Sequence, residues 1–225
     1  MKKIKNIIKK IVSETKHLFN KPWNIFLKKP LKNFVFNRYS QHGEDGIIEE
    51  IFRKLNIKNG LLVEFGAWDG KYLSNTYNIV KNNKKFKAIY IEGDKKRCGD
   101  LKSLSNKLNG RITPICAFVS PQGENSLDNI LKKTSAPKDF ELLSIDVDGM
   151  DYYIWENFKE YNPKIVIIEI NCSLPSSESK QTHDPSKNNF GSSFAVTLEL
   201  GNKKGYSLVH HKGNMFFIRN DLLNP

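Results

Sequence analysis

Carboxylates and glycines follow the ends of apolar segments in this chain, and residues of these types can bind a small molecule and activate it. The stretch VEFGAWDG places Glu64, Gly66 and Gly70 at the end of the apolar run LLV. Gly66 allows a tight turn that brings the backbone close to a ligand, and Gly70 allows a helix to pack close to the strand. A dinucleotide-binding turn carries a further glycine, whereas here Ala67 follows and Asp69 adds negative charge. The turn therefore favours a cationic or zwitterionic ligand over a pyrophosphate, with a purely structural turn as the alternative.

A second carboxylate, Glu92, ends the apolar run IYIE. In a strand–helix–strand unit such a carboxylate accepts hydrogen bonds from the hydroxyls of a ribose. The alternative role, a helix N-cap, is supplied more naturally by Asp94. Ala117 and Phe118, after the next apolar run, would lie beside the adenine, although core packing explains Phe118 equally well. Together these residues predict a nucleoside pocket that fits S-adenosyl-L-methionine better than NAD.

Three aspartates, Asp146, Asp148 and Asp151, are clustered in the stretch LLSIDVDGMD. Clustered carboxylates raise one another's pKa unless a cation or hydrogen-bond donors compensate, so they can hold a divalent metal, orient a hydroxyl or act as a general base. Asp151 serves equally well as an N-cap for the next helix. With Glu169, which ends the run IVIIE, Asp146 and Asp148 form a predicted oxygen-rich set for Mg or Mn.

Two polar segments are expected to lie near the same ligand. The first, YSQHGEDGII, would fold over the amino-acid end of the cofactor and place Gln41, His42, Glu44 or Asp45 near it; the alternative is a capped helix start. The second, residues 173–193, is a long polar loop that we interpret as a substrate lid. His183 within it is a candidate catalytic base, although a lone loop histidine is more often simply exposed.

The segments that carry these residues alternate between strand and helix patterns. Helices are predicted at residues 46–55, 71–82, 95–108, 124–133, 151–161 and 193–204. Strands are predicted at residues 61–65, 87–92, 111–119, 140–149 and 164–171, and the stretch 206–220 reads as a hairpin. The pattern predicts a doubly wound α/β fold with a mostly parallel, seven-stranded Rossmann-like sheet and a C-terminal hairpin. Ligands of such sheets bind at the carboxyl ends of the strands.

The N-terminal residues 1–38 differ from the rest of the chain, which we take as one domain, 39–225. The chain has a net charge of +12, and residues 1–40 hold ten lysines and Arg38 against Glu14. The apolar residues of segment 1–20 recur at helical spacing opposite a lysine-rich face, which is typical of a helix that lies on an anionic membrane or packs on protein. The near-neutral remainder disfavours nucleic acid as a partner. No run is long enough to span a bilayer, so we expect a cytoplasmic protein.

Three cysteines, Cys98, Cys116 and Cys172, show no CxxC pair and no short spacing. Their odd number and spacing argue against a disulfide framework and against a zinc site. They fit a reducing cytoplasm.

Several blocks of the sequence resemble the FkbM-type family of S-adenosylmethionine-dependent methyltransferases. The blocks are SQHGEDGIIEEIF, VEFGAWDGKYLSNTY, IYIEGD, LLSIDVDGMDYYIW, IVIIEIN and GYSLVHHKGNMFFIRND. The resemblance implies that Glu64 and its glycines shape the cofactor turn, that Glu92 holds the ribose, and that Asn75 and Thr76 lie near the methionine end. Asp146 matches an acidic pair of the family, whose second member is often Glu where this chain has Asp148.

The family resemblance implies O-methylation of a hydroxyl, often on a sugar. We therefore predict an S-adenosylmethionine-dependent O-methyltransferase that acts on a small-molecule or glycan acceptor. A sugar or phosphate-containing precursor of a surface polysaccharide fits this prediction. The alternative is a membrane-associated binding or scaffold domain with a vestigial nucleoside pocket.

Overall fold

The computed structural model describes residues 29–147, 149–174 and 191–223. The predicted N-terminal helix, Asp148, and most of the predicted lid with His183 lie outside these residues. Among the helices that are described, none has the length and apolar character needed to cross a membrane.

The described residues contain one seven-stranded sheet. Its strands are β1 (Gly60–Phe65), β2 (Phe86–Glu92), β3 (Ile112–Cys116), β4 (Leu142–Ile145), β5 (Ile165–Glu169), β6 (Tyr206–Lys212) and β7 (Asn214–Arg219). The strand order is β3-β2-β1-β4-β5-β7-β6. The pairs among β1 to β5 are parallel, whereas β7 is antiparallel to both β5 and β6. The predicted α/β fold class, with its mostly parallel sheet and C-terminal hairpin, is confirmed.

Helices cover both faces of this sheet. They are α1 (Glu44–Lys54), α2 (Tyr77–Asn82), α3 (Lys95–Lys107), α4 (Leu127–Lys132), α5 (Asp151–Asn157), α6 (Phe194–Lys203) and the short α7 (Asn220–Leu223), preceded by a 3-10 turn at Leu31–Phe34. Apolar residues of α1, α2 and α3 share one buried cluster with one face of the sheet. Apolar residues of α4, α5 and α6 share a second cluster with the other face. Because both faces are covered, the central strands are apolar almost throughout.

The helix predicted at residues 71–82 begins only at Tyr77. The preceding residues form a loop in which Leu73 has a positive φ of 58°. The buried Glu64 carboxylate accepts hydrogen bonds from the backbone N–H groups of Asn75 and Thr76, at 3.0 and 3.2 Å. This competition from a side chain on β1 explains why the helix starts late, and local periodicity could not reveal it.

The structure pairs Cys98 with Cys116 in a disulfide, so the prediction against disulfides was wrong for this pair. The parallel register places Cys116, the last residue of β3, beside Glu92 at the end of β2. Cys98 lies in the first turns of α3, which follows β2, and the two Cα atoms are 5.7 Å apart. Topology thus brings together two cysteines that are distant in sequence. Cys172 is free and exposed.

Candidate functional site

The glycine turn after β1 is packed tightly against two neighbouring elements. Gly66 has a φ of 71°, and the backbone carbonyl of Asp146 occupies the place that a Cβ atom would take. Gly70 has a φ of 76°, and a Cβ there would lie 2.7 Å from Leu104 and 2.8 Å from Leu101 of α3. Both positions therefore require glycine. The first brings the turn against the end of β4, and the second brings it against α3.

Beneath this turn the Glu64 carboxylate is buried and accepts hydrogen bonds from the loop that follows. The Ser74 hydroxyl donates to it at 2.8 Å. The backbone N–H groups of Asn75 and Thr76 and the hydroxyl of Thr76 also donate to it. Burial raises the pKa of Glu64, and these hydrogen bonds oppose that rise. The carboxylate thus fixes the path of residues 74–76.

The side chains of Asn75 and Thr76 extend this buried network. The Asn75 amide donates to the Ser144 hydroxyl at 3.0 Å, and the Thr76 and Tyr90 hydroxyls are hydrogen-bonded at 2.9 Å. Burial and the nearby Glu64 carboxylate raise the pKa of Tyr90 well above its usual value. The structure therefore gathers Glu64, Asn75 and Thr76 under the turn, with their polar atoms engaged inside the protein. Their predicted contact with a cofactor remains a prediction.

Glu92 is held at the end of β2 by two backbone donors. One carboxylate oxygen accepts the Trp68 N–H and the other accepts the Asp94 N–H, each at 2.8 Å. Each oxygen has a further lone pair available as an acceptor. The Asp94 side chain accepts the Arg97 N–H at 2.9 Å and caps α3, as predicted. Because Asp94 supplies the cap, the Glu92 carboxylate can receive a ligand.

Two exposed aromatic residues lie close to Glu92: Trp68 through its backbone N–H, and Phe118 through the adjacent Gly93. Trp68 is 46% exposed, has a φ of 51°, and lies on the Arg97 guanidinium, with its ring centroid 4.1 Å from Cζ. Phe118 is 73% exposed, and its ring lies where a Cβ of Gly93 would be. This exposure argues against the core-packing alternative for Phe118. Trp68 was missed from the sequence, although an aromatic residue inside a glycine turn was a usable signal.

The backbone N–H groups of Ala117 and Ala67 donate hydrogen bonds to the end of β2, close to Glu92. The Ala117 N–H donates to the Glu92 carbonyl at 2.9 Å, and the Ala67 N–H donates to the Ile91 carbonyl at 3.3 Å. The loops after β1 and β3 are therefore both attached to the end of β2. The predicted nucleoside residues Gly66, Glu92, Ala117 and Phe118 are brought to one edge of the sheet.

A cleft of about 520 Å³ lies at the ends of β4, β5 and β7. Its lining includes eight polar or titratable side chains: Gln41, His42, Asp146, Asp151, Glu169, Asn171, Cys172 and Asn214. Because Asp146 also contacts Gly66 through its carbonyl, the cleft adjoins the glycine turn. The structure thus brings the predicted residues Gln41, Asp146 and Glu169 to a single cleft.

Asp151 also borders the cleft but is buried, with 3% exposure. Its carboxylate oxygens accept the Val147 N–H at 2.9 Å and the Gly149 N–H at 2.8 Å. Asp151 is the first residue of α5, and Met150 is the N-cap residue, so the predicted N-cap assignment was off by one position. These bonds assign Asp151 to holding the loop after β4.

His42, which was predicted to lie near the ligand, lines the cleft; a catalytic role was not predicted for it. Its backbone N–H donates to one Glu44 carboxylate oxygen at 2.6 Å, and the Asn214 amide donates to the other at 3.1 Å. The His42 ring lies against Gly213, where a Cβ would clash with it. Glu44 thus joins the segment before α1 to the β6–β7 hairpin and places the imidazole at the cleft.

The predicted metal set is only partly described. Asp146 and Glu169 line one cleft, and Asp148 lies outside the described residues. Among the residues whose positions are known, no three His, Cys, Asp or Glu side chains form a group that could hold a metal ion. The donors present do not complete a metal site, and the metal set remains a prediction.

Solved structures with similar folds include two methyltransferases. A proposed caffeoyl-CoA O-methyltransferase from Staphylococcus aureus aligns with a TM-score of 0.52 and 13% identity, over 95% of this chain and 99% of that one. The CurJ carbon methyltransferase aligns with a TM-score of 0.51 and 10% identity, over 77% of this chain and 52% of that one. No family model and no curated protein matches the sequence. The likeness is one of fold: the chain has the fold of class I methyltransferases.

Proposed function

We propose that the chain is an S-adenosylmethionine-dependent O-methyltransferase. The observation that carries this proposal is that two backbone donors orient the Glu92 carboxylate; the exposed Trp68 supplies one of them, and the exposed Phe118 lies against the adjacent Gly93. A carboxylate with free lone pairs suits the two ribose hydroxyls, and the aromatic rings suit a flat adenine.

In this proposal the methionine end of the cofactor extends from Glu92 over the glycine turn toward the contact between Gly66 and Asp146. The sulfonium carries a positive charge, which the carboxylates of Asp146 and Glu169 attract electrostatically. The methyl group would then face the adjoining cleft. The buried Glu64 network supports this arrangement indirectly, because it fixes the loop on which the cofactor would rest.

The acceptor would bind in the cleft and present a hydroxyl oxygen in line with the bond between sulfur and methyl. Bound S-adenosylmethionine would supply the methyl group to this oxygen and leave as S-adenosylhomocysteine with the electron pair of the broken carbon–sulfur bond. Asp146 or His42 takes the hydroxyl proton. Alignment of the two substrates supplies much of the rate acceleration. This mechanism needs no metal step, and none is assigned.

The choice of acceptor rests on the FkbM-type resemblance, which favours a sugar hydroxyl. We infer a small polar acceptor, such as a precursor of a surface polysaccharide. We also infer that residues 1–20 make a peripheral contact with the inner face of the membrane, because their lysine-rich pattern suits anionic lipid. Co-sedimentation of the full chain with vesicles of anionic lipid and with neutral vesicles tests this membrane contact. If the protein binds neither kind of vesicle, the inference is wrong.

Calorimetric titration with S-adenosylmethionine tests the cofactor assignment, and absence of binding at millimolar ligand would overturn it. Mass spectrometry of candidate glycans and precursors, incubated with cofactor, then tests methyl transfer. Parallel reactions with and without EDTA test the metal prediction. The double variant Asp146→Asn with His42→Gln should bind cofactor but lose transfer. Binding without transfer to any acceptor would favour the scaffold alternative.

A further inference from the structure

One face of the sheet is poorly covered at the start of β2 and along β3. The connection between β3 and β4 contains the helix α4, which is six residues long. Its Leu127 and Leu131 belong to the apolar cluster that also contains Val63 and Leu143 of β1 and β4. Lys87, near the start of β2, is exposed although its strand has a neighbour on each side. The short helix therefore leaves a surface at this end of β2 and on β3 that doubly wound folds usually bury.

This surface forms a groove of about 910 Å³, which we name the β2–β3 groove. Apolar residues line it: Leu61, Ile89, Ile115, Ala117 and Ile130. Three lysines also line it, Lys85, Lys87 and Lys133, and all three are exposed. The groove thus combines an apolar surface with a positively charged border. Its volume is in the range of pockets that bind drug-sized ligands.

The carboxylate in the groove lining does not neutralise these lysines. Glu141 accepts the Leu61 N–H at 2.6 Å and pairs with Lys164 at 3.0 Å. Lys133 lies 3.7 Å from Glu124, and both side chains are largely exposed, so that pair is weak. Within the part of the chain that the structure describes, Lys85 and Lys87 form no ion pair. The positive charge of the border is therefore available to a ligand.

The edge strand β3, which borders the groove, is poorly suited to pairing with a bound peptide strand. β3 is an edge strand, and Pro114 lies at its centre. Proline has no N–H to donate to a further strand, and its ring limits strand addition. A small molecule that contacts side chains fits this edge better than a peptide that needs a continuous row of backbone hydrogen bonds.

We propose that the β2–β3 groove binds a small anionic amphiphile, with an apolar body on the half-buried Leu61 and Ile115 and an acidic group paired with Lys87 and Lys133. The acidic group is a carboxylate, sulfonate or phosphate. This binding goes beyond the proposed methyl transfer and does not depend on it, because the groove lies on a face of the sheet, shares only Ala117 with the predicted nucleoside residues, and is separate from the candidate catalytic cleft at the strand ends.

The experiment uses the full chain and two fluorescent probes of similar shape, the anionic 8-anilinonaphthalene-1-sulfonate and the neutral N-phenyl-1-naphthylamine. We expect saturable binding of the sulfonate, competition by dodecyl phosphate, and weaker binding of the neutral probe. Reversal of both charges in Lys87→Glu with Lys133→Glu should weaken sulfonate binding by roughly tenfold, because two attractive contacts become repulsive. Thr113→Trp should also weaken binding of both probes, because its side chain would fill the groove.

The matched control is Lys102→Glu, an exposed lysine on α3, which packs on the opposite face of the sheet. It should leave the affinity unchanged, and circular dichroism checks that every variant folds. Binding that survives both the charge reversal and Thr113→Trp would place the probe elsewhere and overturn the proposal. Equal affinity for both probes, or no saturable binding of the sulfonate or of dodecyl phosphate, would also overturn it.

Discussion

The Glu92 carboxylate accepts the backbone N–H of Trp68 at 2.8 Å, which joins the end of β2 to the turn that follows β1. A backbone with a positive φ at Trp68 makes this contact, while the side chain of Trp68 stays exposed. A non-glycine residue held in this region of backbone space is uncommon and often marks a functional site. This hydrogen bond thus orients the Glu92 carboxylate, which we propose binds the ribose, and the backbone of Trp68, whose ring we propose contacts the adenine.

The role of Glu92 predicts a large effect on cofactor affinity. Glu92→Ala should weaken binding of S-adenosylmethionine by about 100-fold, because hydrogen bonds from two ribose hydroxyls to a charged acceptor are lost. Glu92→Gln should have a smaller effect, since one oxygen acceptor is retained. Calorimetric titration measures both. Glu124→Ala removes the same charge from an exposed position and should bind like the parent; an equal loss in that variant would contradict the assignment.

The buried network under the turn predicts a stability effect at Thr76. Thr76→Val should destabilise the protein by about 2 kcal/mol, because the Glu64 carboxylate and the Tyr90 hydroxyl each lose a buried hydrogen-bond partner. Urea unfolding measures the change. Thr113→Val on β3 removes a hydroxyl from an exposed site, and its effect should stay within about 0.5 kcal/mol. Equal losses in the two variants would show that the network contributes nothing.

The alternation of strands and helices was predictable because the apolar segments that form the core are also the strands. The strand-end residues Glu92 and Asp146 were predictable for a related reason: parallel strands bring their carboxyl ends to one edge. The role of Asp151 was not predictable in the same way. Its carboxylate holds Val147 and Gly149 through backbone contacts that depend on the exact path of the loop.

Features that depend on contacts between residues far apart in the sequence were also not predictable. The late start of α2 follows from the Glu64 carboxylate, and the disulfide follows from the register between β2 and β3. The place of His42 near the ligand was predicted, but the hydrogen bond between Glu44 and Asn214 of the C-terminal hairpin, which holds its segment there, was not. A sequence pattern records local periodicity, whereas each of these features requires knowledge of which elements are neighbours.

Lys204 predicts a pH dependence of stability. Burial lowers its pKa from 10.5 to about 8, and its ammonium donates to the Phe158 carbonyl at 2.7 Å. The unfolded chain therefore holds this proton up to a higher pH than the folded chain does, so stability rises as the pH increases from about 8 toward 10.5. The variant Lys204→Met has no amine at this position, so its stability should not show this rise. Its melting temperature relative to the parent should fall between neutral pH and about pH 10. Lys102→Met, an exposed lysine on α3, should keep a constant difference; a constant difference for Lys204→Met would contradict the assignment.

The disulfide between Cys98 and Cys116 predicts both a labelling pattern and a stability effect. After denaturation without reductant, alkylation should modify Cys172 alone, and after reduction it should modify all three cysteines; mass spectrometry counts the labels. The two cysteines are 18 positions apart, so reduction should lower the free energy of unfolding by about 3 kcal/mol. Labelling of all three residues without reductant would show that the pair is not bonded.

The two glycines Gly66 and Gly99 predict opposite effects of the same substitution. In Gly66→Ala the new Cβ would meet the Asp146 carbonyl at a positive φ, so the substitution should destabilise the protein by about 2 kcal/mol or more and weaken cofactor binding. Gly99 lies inside α3, and a Cβ there meets nothing within 4 Å. Gly99→Ala should therefore stabilise the protein by about 0.5–1 kcal/mol and leave binding unchanged. Urea unfolding and calorimetric titration of both variants separate the two effects. If Gly66→Ala were as stable as Gly99→Ala and bound cofactor equally well, the turn would not be the close junction between β1 and β4 on which the proposed cofactor position depends.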